Sequence, residues 1–385
     1  MELHVSDSLE NVPPAQWNRL LPEDNPFLRH EFLVALERHG AVSRENGWAP
    51  QHLLVYDDDR LVAAAPAYLK AHSWGEFVFD FAWADAYARH GRDYYPKLIG
   101  AVPYTPATGP RLLAGPAPSD DRLHRILADG ARAVTERLGA SSFHWLFPEL
   151  GDVRILADAG YAIRHGCQYH WTNRGYDSFD AFLGDLTSKK RKNIRRERRL
   201  VTDAGIEFRI IHGDEADGAV WADLHRFYRR TFRMRGNPPV LTQAFFEEIG
   251  RTMGRHVVLV VALRDGRAIA GAICLRGNGT LYGRYWGCDE EHDALHFETC
   301  YYQGIQYCIE NGLKRFEPGA QGEHKVARGF LPTITYSGHH LVEQPFRDAV
   351  EDFLERERRA VDEYAEALTM EGPFRAEALQ ALLES

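Results

Sequence analysis

The sequence predicts an α/β (α+β) fold made of two tandem units, each with a mixed, mostly antiparallel sheet and flanking helices. Three observations support this prediction. The chain has 385 residues, enough for two domains of about 150 residues each. Its composition, 44% hydrophobic and 26% charged, is that of a globular protein and excludes a disordered chain or a coiled-coil rod. The same order of predicted strands and helices also occurs twice.

The first repeated element is a β-hairpin. Residues 54–65 predict a strand, a tight turn and a second strand, and residues 261–272 predict the same arrangement. The second hairpin turns at Asp265-Gly266, a dipeptide that favours two-residue hairpin turns. The matched residues are Asp58 with Asp265 and Arg60 with Arg267, each pair 207 positions apart. This common spacing predicts a duplicated unit.

A third strand is predicted after each hairpin, at Phe77–Trp83 and at Leu281–Trp286. Tyr94-Tyr95 and Tyr301-Tyr302, also 207 positions apart, are predicted to open a helix in each half. Each half then continues with a helix, a glycine that ends it, and a strand. These elements are 123–138, Gly139 and 142–147 in the first half, and 297–310, Gly312 and 313–316 in the second.

A strongly basic helix is predicted where the two units join. Between Lys189 and Arg199 lie eight basic residues and one acid, Glu197, so this window has a net charge of +7 in a chain of net charge −9. The acidic remainder excludes a protein that coats nucleic acid with a uniformly basic surface. We expect these parts: a first unit at 1–165, a second at 166–345 entered through the basic helix 186–201, and a C-terminal helical extension at 346–385 packed on the second unit.

The N-terminus and the cysteines bear on location. The first residues lack the basic and apolar regions of a secretory signal, and the longest apolar run, Val257–Leu263, is far shorter than the roughly 20 residues of a membrane span. The five cysteines are an odd number and none form a C-x-x-C pair. We therefore expect a reduced, cytoplasmic protein without disulfides or a transmembrane segment.

Several sequence motifs carry a family resemblance. They are Tyr94-Tyr-Pro-Lys-Leu98, Pro103-Tyr-Thr-Pro106, Gly109-Pro-Arg111, Gln168-Tyr-His-Trp-Thr-Asn173, Glu317-Pro-Gly-Ala-Gln-Gly-Glu-His-Lys325 and Arg328-Gly-Phe-Leu-Pro332. With the duplicated units and the basic helix, they make nearly the whole chain resemble the FemABX-type tandem acyltransferases, whose units are similar to the GNAT (N-acetyltransferase) fold. The resemblance is closest to a bacterial branch described as GNAT-like or peptidoglycan-biosynthesis-related. It implies two tandem GNAT-like units and transfer of an acyl group.

One segment departs from the acetyl-CoA-dependent relatives, which carry a loop of the form Q/R-x-x-G-x-G/A around the pyrophosphate. Here Gly287–Glu298 has no glycine after Gly287 and contains four acids, Asp289, Glu290, Glu291 and Asp293. Carboxylates would repel a pyrophosphate that backbone amides should hold. The segment therefore disfavours a typical acetyl-CoA site, and both acyl-CoA and aminoacyl-tRNA remain possible donors.

The residues best suited to chemistry lie at 317–328, where Pro318, Gly319 and Gly322 predict a loop at a strand end. Its functional side chains are Glu317, Gln321, Glu323, His324, Lys325 and Arg328. Acyl transfer to an amine needs a base for the amine proton and donors for the oxyanion. Glu323 or His324 would be the base, with Glu317 a further catalytic candidate. Gln321, Lys325 or loop amides would be the donors; the alternative is a solvated loop.

Further candidates lie near this loop in the sequence. His296 and Glu298 would line the same cleft, although Glu298 would also favour a helix N-terminus. Arg284 would clamp a carboxylate or phosphate, and Trp286 would form a cleft wall or part of the core. The spacing of histidines and acids matches no known ligand pattern, so no metal is expected.

The basic helix has three interpretations: a solvated face, a nucleic-acid contact, or an element that holds an anionic substrate. Arg191, Arg195, Arg198 and Arg199 fall on one helical face. This favours a phosphate-bearing partner such as tRNA or a lipid-linked precursor, with Arg191, Lys192 and Arg195 as contacts.

The leading hypothesis is an N-acyltransferase that moves an acyl group, aminoacyl groups included, from an activated phosphate-bearing donor onto a small-molecule or peptide amine. Two alternatives remain open. One is a non-catalytic protein that recognises peptidoglycan fragments or nucleotides. The other is an RNA-binding protein that uses the basic helix.

Overall fold

The computed structural model describes residues 1–116, 121–320 and 322–383. The chain divides into two units. The first comprises Met1–Cys167 and Ile334–Tyr364, and the second comprises Gln168–Thr333 and Ala365–Ser385. The first unit thus includes a segment from the C-terminal part of the chain.

The elements up to residue 158 all belong to the first unit. They are β1 (Glu2–Ser6), α1 (Pro14–Asn18), α2 (His30–Arg38), β2 (Trp48–Pro50), β3 (His52–Asp57), β4 (Arg60–Ala65), β5 (Ala67–Lys70), α3 (Phe81–Arg89), β6 (Lys97–Gly100), α4 (Asp121–Arg137), β7 (Ser142–Leu146) and α5 (Leu150–Asp158).

The chain enters the second unit within β8 (Ala162–Thr172) and leaves it within β14. The elements after β8 are α6 (Phe179–Gly184), α7 (Ser188–Asp203), β9 (Ile206–His212), α8 (Gly218–Met234), α9 (Gln243–Met253), a 3-10 turn (Gly254–His256), β10 (Val257–Arg264), β11 (Arg267–Arg276), β12 (Thr280–Cys288), α10 (Leu295–Phe297), a π-helical turn (Glu298–Tyr302), α11 (Gln303–Glu310), β13 (Arg315–Glu317), a second 3-10 turn (Glu323–Arg328), β14 (Leu331–Leu341), α12 (Gln344–Met370) and α13 (Ala376–Leu383).

Both units contain mixed, mostly antiparallel sheets. In the first unit, β1, β3 and β4 form an antiparallel sheet, while β2, β5, β6, β7 and the end of β14 are neighbours in a second one. In the second unit the order is β8, β13, β12, β11, β10, β9. Each unit contains a parallel pair, β6 with β7 in the first and β12 with β13 in the second, and a helix connects the two strands in both cases. The predicted α/β (α+β) class is confirmed.

The hairpins confirm the predicted duplication in detail. Asp58 and Asp265 both adopt positive φ angles, 53° and 51°, at the turn. The pairing register also shifts at equivalent places, between Val55 and Tyr56 in the first hairpin and between Ala262 and Leu263 in the second. A β-bulge is a specific backbone feature, so its recurrence at the same spacing of 207 residues is stronger evidence than any matched dipeptide.

Two predicted elements of the first unit are wrong. The predicted strand Phe77–Trp83 is a loop followed by α3, because the backbone turns at Phe77 (φ +63°). Tyr94-Tyr95 precedes strand β6, whereas Tyr301-Tyr302 lies in the π-helical turn, so this match at 207 residues is a coincidence. The aromatic alternation at 77–81 imitates a strand pattern, but buried ion pairs of the flanking acids set the actual course of the chain.

The C-terminal helix also differs from its expected place. We expected the whole of 346–385 to pack on the second unit, but α12 up to Tyr364 belongs to the first. Apolar packing explains this position, because Val350 and Leu354 of α12 are buried in a cluster with Trp83 and Tyr87 of α3. Among the residues that the structure describes, no helix is long and apolar enough to cross a membrane.

Two buried histidines face each other in the first unit. His144 of β7 and His339 of β14 are directly opposed in the antiparallel pair, with their Nδ1 atoms 2.7 Å apart. One ring must therefore donate and the other accept, which requires an unprotonated acceptor nitrogen. Burial lowers the pKa of His144 to about 3 and that of His339 well below its usual value. Both rings are neutral at pH 7.

These histidines predict acid destabilisation. Because their pKa values are lower in the folded than in the unfolded chain, the unfolded chain binds more protons below about pH 6.5. The free energy of unfolding should therefore fall by about 1.4 kcal/mol per pH unit for each histidine as the pH drops toward 4. Urea denaturation at pH 7, 6 and 5 measures this slope. His339→Gln should reduce the slope by about one proton, and His90→Gln, at an exposed position, should not; equal slopes in both variants would contradict the assignment.

Candidate active site

The candidate site lies in the second unit, where the chain leaves β13. Phe316 anchors this strand in the core, fully buried. The chain then bends at Gly319 and Gly322, whose φ angles of +102° and +114° favour glycine. The 3-10 turn that follows presents His324, Lys325 and Arg328 within one short segment.

His324 is accessible, as is Glu323 before it. Its side chain is exposed, and its Nε2 lies 2.9 Å from the Tyr301 hydroxyl. Partial burial and the nearby charges of Arg328 and Lys325 lower its pKa. The ring is therefore neutral at pH 7 and has a nitrogen lone pair that can accept a proton.

Lys325, the next residue of the turn, is buried, with 2% of its surface exposed. Its Nζ donates a hydrogen bond of 2.6 Å to the Gly319 carbonyl. Burial lowers the pKa of Lys325 to about 8. The Gly319 carbonyl is its one hydrogen-bond acceptor among the described residues, so the ammonium has further N–H groups for an anionic ligand.

Arg328 holds the turn in place. Its guanidinium binds the Glu197 carboxylate through two hydrogen bonds of 2.7 and 3.2 Å, and its Nη1 donates to the His324 carbonyl at 2.8 Å. The same group lies 3.4 Å from the centre of the Phe297 ring. Glu197, the single acid of the basic window, also accepts a hydrogen bond from Tyr302. Arg328 is thus a positioning residue, its guanidinium already engaged within the protein.

The π-helical turn supplies the neighbouring aromatic groups. Such turns are rare and occur often at functional sites. Here two consecutive tyrosines contact different residues. The Tyr301 hydroxyl is hydrogen-bonded to His324, and the Tyr302 hydroxyl donates to Glu197. The His296 ring packs beside these aromatic groups, and its centre lies 5.3 Å from the ring centres of both Trp286 and Tyr301. Burial lowers the pKa of His296 to about 4.

Glu298 is engaged in structure. Its buried carboxylate accepts hydrogen bonds from Arg198 at 3.2 Å and from Gln303 at 2.8 Å. The Arg198 guanidinium also lies 4.4 Å from the Phe179 ring centre. Glu298 therefore anchors α7 to the π-helical turn.

The remaining loop candidates differ in exposure. Glu317 is buried, with Oε2 3.9 Å from His170 Nε2 and Oε1 3.7 Å from Arg315. Burial lowers the pKa of His170 to about 3, so it is a neutral neighbour of Glu317.

Glu323 is exposed at the start of the turn. Gln321 lies outside the described residues, and Arg284, half-buried on β12, lies 5.5 Å from the Tyr285 ring centre.

The basic helix α7 divides its cations between two faces. Ile194 and Val201 are buried, and the same side of the helix carries Arg198 and Glu197 toward their partners. The expected single stripe of arginines is therefore split, because Arg198 is ion-paired and Arg195 binds Asp180 at 2.8 Å.

The other cations of α7 differ in exposure. Arg191 is half-buried and its Nη2 lies 3.4 Å from Ser188 Oγ. The exposed stripe is Lys189, Lys192, Arg196 and Arg199.

The acidic segment after β12 is partly neutralised by arginines. Asp289 binds Arg226 at 2.9 Å, and Glu290 binds Arg264 at 3.0 Å and Arg267. These pairs weaken the repulsion expected of four free carboxylates. The segment still offers no glycine-rich turn before the helix that begins at Leu295.

Sequence reasoning missed the residues that organise the site. Glu197, Phe297 and Tyr301 were not among the candidates, although each contacts Arg328 or His324. Glu197 did give a signal, because a lone acid inside a cationic helix is unusual. Phe297 and Tyr301 gave none that differs from the signal of core aromatics.

The fold of this chain is similar to that of several solved structures. FemX aligns with 91% of this chain and all of its own at a TM-score of 0.55 and 12% identity. The C-terminal domain of a putative lysylphosphatidylglycerol synthetase from Agrobacterium fabrum aligns with 88% of this chain and 94% of its own, at 0.53 and 11%. L-PGS from Bacillus licheniformis aligns with 86% and 98%, at 0.52 and 12%. At these identities the likeness shows the shared fold, the expected tandem GNAT-like architecture.

Comparison of sequence identifies the family. No curated protein matches the chain significantly. The sequence model of the FemAB-like family, described as peptidoglycan biosynthesis/recognition, matches residues 8–376. Because that match spans nearly the whole chain, this protein belongs to the FemAB-like family.

Proposed function

We propose that this protein is an N-acyltransferase of cell-wall metabolism that moves an acyl group, aminoacyl groups included, from an activated phosphate-bearing donor onto an amine. The observation that carries the proposal is the turn Glu323–Arg328, which combines an exposed neutral imidazole with a buried ammonium. The family's association with peptidoglycan biosynthesis supports the cell-wall setting. The cytoplasmic location expected from the sequence stays a prediction.

His324 is the favoured base. The reacting amine must lose a proton when its nitrogen bonds to the acyl carbon, and a neutral imidazole can take that proton at pH 7. The exposed ring is open to a substrate, while the contact with the Tyr301 hydroxyl fixes its orientation. Glu323 remains the alternative base, since it is exposed at the adjacent position.

Lys325 would stabilise the oxyanion. In the tetrahedral intermediate the carbonyl oxygen carries a negative charge, and a preorganised cation in a dry site stabilises it strongly. Collapse of the intermediate breaks the bond to the leaving group, which departs as the CoA thiol or the ribose hydroxyl after it takes up the proton that His324 accepted from the amine. Lys325 is buried and held by Gly319, so little reorganisation would be needed.

The site assignment predicts loss of turnover in two variants. His324→Asn should lower kcat about 10²–10⁴-fold and Lys325→Met about 10²–10³-fold, with acetyl-CoA or aminoacyl-tRNA as donor and a muropeptide as acceptor. Matched controls are His292→Asn and Lys314→Met, changes of the same kind in the same unit. Full activity in both site variants would contradict the assignment, while binding without turnover in the unaltered protein would favour the recognition alternative.

The pKa of Lys325 adds a signature to this experiment. Because its pKa is lowered to about 8, the ammonium loses its proton as the pH rises through 8, and the rate should fall in that range. Lys325→Arg keeps a cation at higher pH and should move that alkaline limb upward. If the alkaline limb of the pH–rate profile is unchanged in Lys325→Arg, it reports the titration of another group.

The exposed stripe of α7 would hold the anionic part of a substrate. Lys189, Lys192, Arg196 and Arg199 recur at helical spacing and are all exposed. This arrangement suits phosphates spread along one direction, as on tRNA. A lipid-linked precursor with one short phosphate group would engage fewer of them.

The stripe predicts a salt-dependent interaction. Changing all four residues to Gln should make the slope of log affinity for tRNA against log salt shallower by about 3, since each single-strand phosphate contact contributes about 0.7. The matched control changes four exposed basic residues outside α7 to Gln: Arg92, Arg122, Arg137 and Arg356. Fluorescence anisotropy at several salt concentrations measures this slope for the variant and for the control. An unchanged slope in the fourfold variant would exclude the stripe as the phosphate-binding surface. Strong tRNA binding, with no role for residues 317–328 in turnover, would favour the RNA-binding alternative.

A further inference from the structure

One surface segment of the first unit has its polar and apolar residues reversed. In residues 71–82, which run from the end of β5 into the first turn of α3, the polar side chains Ser73, Glu76 and Asp80 are buried. The exposed residues are all apolar: Ala71, Trp74, Phe77, Phe79, Phe81 and Ala82. The four aromatic side chains are exposed by 66%, 40%, 56% and 39%. We call residues 71–82 the aromatic segment.

A buried lysine causes this reversal. Lys97 of β6 is fully buried, and its Nζ contacts Ser73 Oγ at 2.8 Å, Glu76 at 2.7 Å and the Asp80 carboxylate. A buried ammonium requires such partners, because an uncompensated charge in the interior is costly. The acids therefore face inward, and the aromatic residues between and beside them face the solvent.

The aromatic segment is fixed in this arrangement. Lys70 Nζ donates to the Trp74 carbonyl at 3.1 Å, and Arg164 Nη1 donates to the Phe79 carbonyl at 2.7 Å. Phe77 adopts a φ angle of +63°, a conformation that is unusual for a bulky residue and persists only where surrounding contacts impose it. The backbone at Trp74 and Phe79 is thus held in place by side chains of the first unit.

The size and charge of this surface indicate its partner. From the exposed fractions and the usual areas of aromatic side chains, the exposed aromatic surface is roughly 300–500 Å². A stable protein interface needs about 800 Å² from each partner. No residue of the aromatic segment exposes a charge. Small apolar surfaces rich in Trp and Phe suit the interfacial region of a lipid bilayer, which accepts such side chains without a complementary surface.

We propose that the aromatic segment docks the protein on a lipid surface by inserting Trp74, Phe77, Phe79 and Phe81 into the interface. This inference is independent of the acyl-transfer proposal, since it involves residues of the first unit only. Binding through an uncharged segment requires no anionic lipid. It also should not weaken with salt, unlike any contact made by α7.

Vesicle flotation with neutral phosphatidylcholine vesicles tests the proposal. The unaltered protein should float with the vesicles at low and high salt, and Trp74→Ser combined with Phe79→Ser should reduce the bound fraction at least about tenfold. The matched control is Leu150→Ser with Met234→Ser, which also removes two exposed apolar side chains. Circular dichroism checks that both double variants are folded.

Tryptophan fluorescence gives a second readout at the segment itself. Of the eight tryptophans, Trp74 is the exposed one; Trp286 is half-buried and the other six are buried. Vesicles should shift its emission to shorter wavelength, and Trp74→Phe should keep vesicle binding but lose that shift. No flotation of the unaltered protein, or equal flotation of the two double variants, would overturn the proposal. Self-association that Trp74→Ser with Phe79→Ser abolishes, without vesicle binding, would assign the surface to a second copy instead.

Discussion

The bidentate ion pair between Glu197 and Arg328 is the interaction on which the candidate site depends. It joins the basic helix to the 3-10 turn, and the same guanidinium holds the His324 carbonyl and the Phe297 ring. Because Glu197 must face inward to meet Arg328, the rotation of α7 about its axis is fixed. One pair therefore sets both the position of the imidazole and which cations of the helix reach the solvent.

The first unit uses a buried cation in a comparable way. Lys97 draws Glu76 and Asp80 inward, and this places the aromatic residues between and beside them at the surface. In both units a charge buried among partners of opposite sign orients a segment whose other side is exposed. Such pairs contribute less to stability than their Coulomb energy suggests, because desolvation opposes it. What they supply is a defined direction for the side chains around them.

Local patterns predicted much of the fold. The hairpin turns at Asp58 and Asp265, the helix that ends before Gly139 and the amphipathic α7 follow from short-range chemistry, and the structure contains each of them. The strand predicted at Phe77–Trp83 failed because its course depends on Lys97, about 20 positions away. In the site, the turn with His324 and Lys325 was visible as a loop rich in functional groups. Its attachment to Glu197 was not, because contacts across more than 100 residues leave no trace in spacing.

Pairing also changes what the charge of α7 can do. The sequence counts eight cations between Lys189 and Arg199, but Arg198 is neutralised by Glu298, and Arg195 lies against Asp180. An exposed pair such as the latter is worth less than about 1 kcal/mol, so a phosphate could displace Asp180, whereas the buried Glu298 holds its arginine more firmly. The cations available to a phosphate-bearing substrate are therefore those on the outer stripe, together with Arg195 once Asp180 is displaced. A surface of four spaced cations attracts a phosphate backbone, yet it has neither the rigid bidentate contacts nor the base-edge reach that sequence-specific recognition requires. The helix is consequently suited to position an anionic substrate, and selection among substrates must come from other contacts.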